Sequence, residues 1–455
     1  MPFDSTSIPQ EIWEKIFERY CAGDQIPPRS LALVCRRWAW LLRNLATLWR
    51  KLEIDLDAPG SIAVLRDRLE RRLDLAKGLT LEVILSNTLR AGVLLLRDQY
   101  SDLFRNIVRT KAPPQRWHSL SVDNSPFFEA AIMGSPSIFD KAFTALRIFS
   151  FRGHSSSIPE FLHFMQRSNL PLERLHLLPW YVSNDLKRIT LPPTLIHLSA
   201  NLEVILQVTM PAFVRELEIT RQEWRPYFLG PSRVTMPSTV VIRNCMSNLF
   251  DHIDMRNVVA LHLDRFLLNA NLTLDLPNLR TLHIQPCIPH YLKIFNAPNL
   301  EGMKLTGCHT YGLSIPQKIV RQEIRACSLL LFRKERYLLV TRPESLTIEV
   351  HGITEGTLIA MLDAWPQLKH LSLTIHNHFD LAGMFARRLQ KLCPQLETIY
   401  IDTWWYGKGR KWRKWRAAAK SVMSARKDGP LEKIIWRNRW FETESVIRAA
   451  TISGA

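Results

Sequence analysis

The chain has 455 residues, more than the roughly 100–200 of a single typical domain, so at least two structural units are expected. Hydrophobic residues make up 46% and charged residues 22%, which is a globular composition and excludes a wholly disordered chain. The formal charge of +18 is placed unevenly: residues 1–60 carry eight basic and eight acidic side chains, residues 404–440 twelve basic and two acidic.

No run reaches the roughly 18–20 apolar residues of a membrane span, and the opening MPFDSTSIPQE lacks the basic-then-apolar profile of a secretion signal. A soluble protein of the cytoplasm or nucleus is the expectation. The seven cysteines are an odd number without a CxxC pair, which argues against a disulfide framework.

The first predicted element is a helix over "SIPQEIWEKIFERY", residues 7–20. Ser7 and Gln10 have the spacing of a capping box, and Pro9 suits the first turn. Ile8, Ile12, Trp13, Ile16, Phe17 and Tyr20 spread over about half of the helical circumference, whereas a helix packed on one core needs a stripe only a little wider than about 100°. The excess apolar arc asks for a second contact. Downstream, "LALVCRRW" sets Leu31, Val34, Cys35 and Trp38 at helical spacing, and Trp49 follows.

Taken together, Ile8-Pro9-x-Glu11-Ile12, then Leu33-Val34-Cys35-Arg36-Arg37-Trp38, then Leu48-Trp49 resemble an F-box, over about residues 6–54. Ile8 stands where leucine is commonest in that family. The resemblance implies helices that bury part of their apolar surface internally and the rest on a Skp-type adaptor, and through it on a cullin–RING ubiquitin ligase. It assigns adaptor contact to Ile8, Pro9, Ile12, Ile16, Val34, Cys35, Trp38 and Trp49. The bland reading of the same residues is an N-terminal cap on whatever follows.

Residues 55–114 read as linking helices and atypical first repeats: a helix in "SIAVLRDRLERRLDLAKG" ending at Gly78, a strand in "LTLEVIL", and a helix over about 89–109. From about residue 115 a short phrase recurs. "NLRTLHIQPC" (278–287) and "NLEGMKLTGC" (299–308) match at a spacing of 21 and fit L-x-x-L-x-L-x-x-C, the phrase of a leucine-rich repeat. Looser copies begin at 172, 195, 214, 258, 345, 367 and 395.

Two regularities fix the register. Ile242, Ile284, Leu305 and Ile324 are each followed three positions later by a cysteine, namely Cys245, Cys287, Cys308 and Cys327. A small thiol suits the corner just past a strand as a packed apolar group. Pro277-Asn278-Leu279, Pro298-Asn299-Leu300, Pro366-Gln367-Leu368 and Pro394-Gln395-Leu396 precede strands, where proline is tolerated because the ladder has not begun.

"HNHFD" places His376, His378 and Asp380 on alternate positions, but three ligands without a second cluster read better as a solvated loop than as a metal site. No nucleotide-binding loop, zinc-protease helix or nucleophile elbow occurs, so neither catalytic residues nor a cofactor are expected. In "WWYGKGRKWRKWRAAAK" (404–420), Trp412, Trp415, Ala419, Val422 and Met423 form a helical stripe. The expected structure is a helix packed through that stripe. Its solvated cations Arg410, Lys411, Arg413, Lys414, Arg416 and Lys420 are available to an acidic partner; nucleic acid is possible there but not favoured.

The resulting expectation is an α/β protein: N-terminal all-α F-box helices (1–54) followed by an irregular leucine-rich-repeat α/β solenoid (115–455) with basic terminal repeats at 404–440. The resemblance implies a non-catalytic substrate-recognition subunit of an SCF-type ubiquitin ligase, its solenoid holding an unknown protein substrate. A non-ligase scaffold and a nucleic-acid-binding module are the alternatives.

Overall fold

The structure is a computed structural model. It describes residues 9–22, 28–55, 61–86, 97–123, 143–153, 170–179, 189–220, 233–245, 247–266, 272–285, 292–307, 313–314, 319–325, 343–350, 355–375, 393–403, 410–425, 429–438 and 443–448. The chain is mixed α/β, divided into two compact units at Val214/Arg215. No described helix is long and apolar enough to cross a membrane.

The first unit opens with helices α1 (Gln10–Ala22), α2 (Pro28–Ala32) and α3 (Arg36–Asn44), then a 3-10 turn at Ala46–Trp49. Helical spacing across Leu31–Trp38 predicts one continuous helix, but the chain breaks after Ala32. Cys35 adopts extended backbone (φ −160°, ψ 166°), and its Sγ accepts a 3.4 Å hydrogen bond from the Trp38 amide, capping α3. Trp13, Phe17, Leu41, Leu42 and Leu45 form the core of this cluster. Burying each such side chain is worth about 1.5–3 kcal/mol, enough to hold short helices that are marginal alone.

A parallel ladder starts immediately afterwards. Strand β1 (Lys51–Asp55) begins one residue past the 3-10 turn, inside the segment assigned to the helical domain. It pairs in parallel with β2 (Leu81–Ser86), which pairs with β3 (Trp117–Asp123). The ladder continues through β4 (Ile148–Gly153), β5 (Arg174–Pro179) and β6 (His197–Ala200). Alternation decides the faces: Leu52 and Ile54, Val83 and Leu85, Leu120 and Val122, Leu175 and Leu177 are buried, their neighbours less so. The returns carry α4 (Ile62–Leu75) and α5 (Arg97–Thr110). Arg50 fastens the start of the ladder: its Nε donates to Thr80 O (2.9 Å) and its carbonyl accepts from the Glu82 amide (2.9 Å).

The second unit repeats the plan. Strands β7 (Glu216–Thr220), β8 (Thr239–Arg243), β9 (Ala260–Asp264), β10 (Thr281–Ile284) and β11 (Gly302–Thr306) stack in parallel. They are followed by β12 (Arg321–Arg325), β13 (Ser345–Val350), β14 (His370–Ile375), β15 (Thr398–Thr403) and β16 (Lys433–Asn438). The last strand, β17 (Thr443–Arg448), pairs antiparallel with β16. Thr239, Ala260, Thr281 and Gly302 stand in register, so three successive repeats have the 21-residue period of the sequence phrase. Their returns form a second parallel ladder of Leu272–Asp275, Leu292–Phe295 and Leu313–Ser314. Later returns carry helices α6 (Glu355–Ala364) and α7 (Arg410–Ala425).

The Pro-x-Leu entries have a common geometry. Leu279, Leu300, Leu368 and Leu396 are each at most 2% exposed, and each amide closes a turn on the carbonyl three residues earlier. Asn278 and Asn299, between proline and leucine, donate to the Arg256 and Pro277 carbonyls, tying each turn to the one before. At the strand exits, Asn244, Arg265 and Gly307 take the left-handed conformation at φ 54°, 50° and 64°. This twist turns Cys245 and its counterpart Phe266 into the core, where Cys245 Sγ lies 3.2 Å from the Arg243 carbonyl. Cys287, Cys308 and Cys327 lie outside the described residues.

Candidate functional site

In the helical cluster, the eight residues assigned to adaptor contact separate into two groups. Ile8, with Ser7, lies outside the described residues. Pro9, Ile12, Val34 and Cys35 are exposed, Ile12 by 45% and Val34 by 61%. Ile16, Trp38 and Trp49 are half-buried and serve the cluster itself. The Trp38 ring sits 5.1 Å from Trp13 and 5.0 Å from Phe17, the latter edge-on, in the favoured range for aromatic pairs. Trp49 Nε1 donates to the Leu42 carbonyl at 2.8 Å, which satisfies the end of α3.

Leu33, Trp40 and Tyr20 are also exposed, by 87%, 57% and 56%. None of these three is among the residues that the F-box resemblance assigns to adaptor contact. Ten large apolar side chains are exposed among the described residues, and five of them lie between Ile12 and Trp40. A 13-residue helix with its core face on Trp13 and Phe17 thus leaves Ile12 and Tyr20 unpartnered.

The basic segment near the C-terminus forms α7. Ala419, Val422 and Met423 are buried at 5% or less, which orients the helix, and Arg416 and Lys420 are exposed. Arg410, Lys411, Arg413 and Lys414 lie on the same helix; their side chains, and those of Trp412 and Trp415, fall outside the described residues. His376, His378 and Asp380 also fall outside them, and no group of three or more metal-ligating side chains occurs among the described residues.

A further site lies on the outward face of the second unit's sheet, a cleft of about 420 Å³ across β8 to β13. Because strand side chains alternate, Val240, Leu261, Leu282 and Met303 enter the core. The residues between them face the cleft in two rows. His262 and His283 stack at 4.2 Å with 18° between their rings, and Lys304 pairs with Glu323 at 3.3 Å.

Partial burial, then the neighbouring His262 and Lys304 charges, lowers the pKa of His283 to about 4. His262 is lowered too, chiefly by burial, against the opposing pull of Asp264. Both rings are therefore neutral near pH 7, and a neutral pair can stack closely where two imidazolium ions would repel. Deeper along β8 and β9, Arg243 bonds Glu218 at 2.6 Å and approaches Asp264 at 3.6 Å.

Compared with known proteins, the chain matches no family model and no curated protein.

Proposed function

We propose that the chain is the substrate-recognition subunit of an SCF-type ubiquitin ligase, its N-terminal helices an F-box docked on a Skp-type adaptor and its repeats a leucine-rich-repeat-like solenoid that holds the protein target. The observation that carries this reading is the concentration of exposed Ile12, Tyr20, Leu33, Val34 and Trp40 on a cluster whose own core is already filled. Apolar side chains left in water on so small a body fit a partner surface, with Trp40 and Tyr20 of the types most often found as anchors. On this reading the chain acts by proximity and performs no chemistry.

The test is co-purification of the full chain with a Skp-type adaptor. Ile12→Asp and Val34→Asp change exposed residues, so the helices keep their core while a buried charge would cost the complex several kcal/mol. Binding by the intact chain, and its loss in both variants with unchanged circular dichroism, is the expected result. Trp49→Ala is a poorer probe, since Trp49 holds the cluster's own backbone. Intact, folded protein that ignores the adaptor would leave the helices as a cap and sink the proposal.

A second reading rests on α7, which holds six Lys and Arg and no Asp or Glu over Arg410–Ala425. A nucleic-acid function would appear as binding whose affinity falls steeply with salt.

A further inference from the structure

The floor of the second unit's cleft changes chemistry along its length. The row nearest the strand entries runs Thr239, Ala260, Thr281 and Gly302, four small residues on adjacent strands in exact register. The next row, with His262, His283, Lys304 and Glu323, stands taller along one side. Ala260, Thr281 and Gly302 beside His262, His283 and Lys304 make a trench that runs across the strands.

The trench has a measurable length. Strands repeat every 4.7–4.9 Å, so its floor extends for about 14 Å, the length of about four to five residues of extended chain at roughly 3.3 Å each. A Cβ at Gly302 would only touch Thr281 Cγ2, at 3.7 Å, so the glycine is not forced by a clash; it leaves open space above the floor.

At the next strand the same row carries Arg321, which is exposed and has no ion pair among the described residues, before it continues with Ser345. The nearby Lys304 has its carboxylate partner in Glu323. The run of small residues is therefore interrupted by a cation with its charge unspent, in a chain of net charge +18.

We propose that this trench binds an extended peptide segment of small side chains followed by an acidic group, a carboxylate or a phosphate, that docks on Arg321. Guanidinium forks take either group through paired hydrogen bonds. The neutral His262–His283 wall offers the peptide stacking and hydrogen-bonding surface without a second cation, so the anion is read at one position only. This names the substrate class of the ligase reading and rests on it for biological meaning, although the binding itself does not depend on the adaptor.

The test uses the full chain and a positional-scanning set of end-capped, fluorescein-labelled nonapeptides, each position fixed in turn as Gly, Trp, Lys, Glu or phosphoserine. Fluorescence anisotropy should select Glu or phosphoserine at one position and reject Trp at the adjoining four. The preferred member decides between the carboxylate and phosphate sources. Arg321→Glu should weaken the best peptide by about tenfold or more and abolish the acidic preference, since a charge-assisted bond becomes a repulsion.

Gly302→Leu should remove binding of every peptide while the thermal midpoint stays within a few degrees, because its Cβ is accommodated and the rest of the side chain fills the trench. If that variant does not fold, Arg321→Glu, a change at an exposed position, decides alone. No selection by the intact chain, a selection that Arg321→Glu leaves unchanged, or displacement of the selected peptide by a single-stranded oligonucleotide at lower concentration would each overturn the proposal. Adaptor co-purification is scored on the same preparations, so its failure is distinguishable from failure at the trench.

Discussion

His262 and His283 show how one pair of residues couples the sheet to pH. The folded chain holds the His283 pKa at about 4, whereas an unfolded histidine titrates near 6.5. Between these values the unfolded chain binds more protons than the folded one, so stability rises with pH. The stabilising balance is complete above about pH 6.5 and is lost as pH falls toward about 4. We expect the denaturation midpoint of the second unit to drop across that window, and His283→Gln to flatten the drop, as measured by urea unfolding at half-unit pH steps. An unchanged slope in the variant would assign the acid sensitivity to other groups.

At the same scale, Trp49→Phe keeps an aromatic side chain but removes the indole donor to Leu42 O, with an expected cost of about 1–2 kcal/mol in chemical denaturation. This contact was not legible in the sequence, where Trp49 appears only as the closing tryptophan of a motif. Its partner is a main-chain atom, and main-chain atoms leave no residue signature.

The repeating element is a strand, a left-handed exit and a return of variable length. The strand and its Pro-x-Leu entry were legible because they recur: a leucine buried by the same turn in four places leaves the same letters four times. The left-handed exits were not, since Asn244, Arg265 and Gly307 share a conformation but no residue type. The returns were not either, as register-matched spacing is 21 residues among β8 to β11 and 28 from His370 to Thr398.

The break at Leu33–Cys35 shows the opposite failure, a pattern read too far. Leu31 lies in α2 and Trp38 in α3, while Val34 and Cys35 fall in the exposed break between them, with cysteine as the cap. At the exit, Asn244→Val should destabilise the second unit by about 1–2 kcal/mol, because a β-branched residue resists positive φ, while Asn244→Gly should be within a few tenths. Equal midpoints for the two would show that the exit turn relaxes without cost.

Over the whole chain, the two units use one plan at different repeat lengths. In the first, β1 to β2 and β2 to β3 are separated by about 30 or more residues, and the returns hold α4 and α5. The short phrase is thus absent from residues 55–114, which explains why that segment read as atypical. Of the exposed apolar residues on the helices, the motif picked out Ile12 and Val34 but not Leu33 or Trp40, since exposure depends on how three short helices close on Trp13 and Phe17.

One junction has mechanical meaning. Only Arg50 separates the 3-10 turn from β1, and it is bonded to Thr80 and Glu82 on both sides of the backbone. A protein clamped on the helices would have no swivel against the first strands; it would grip a rigid handle. On the proposed ligase function, four Gly-Ser residues inserted after Arg50 should leave adaptor capture intact but slow ubiquitin transfer to a bound target, because the handle would then turn freely and each productive orientation would become one among many.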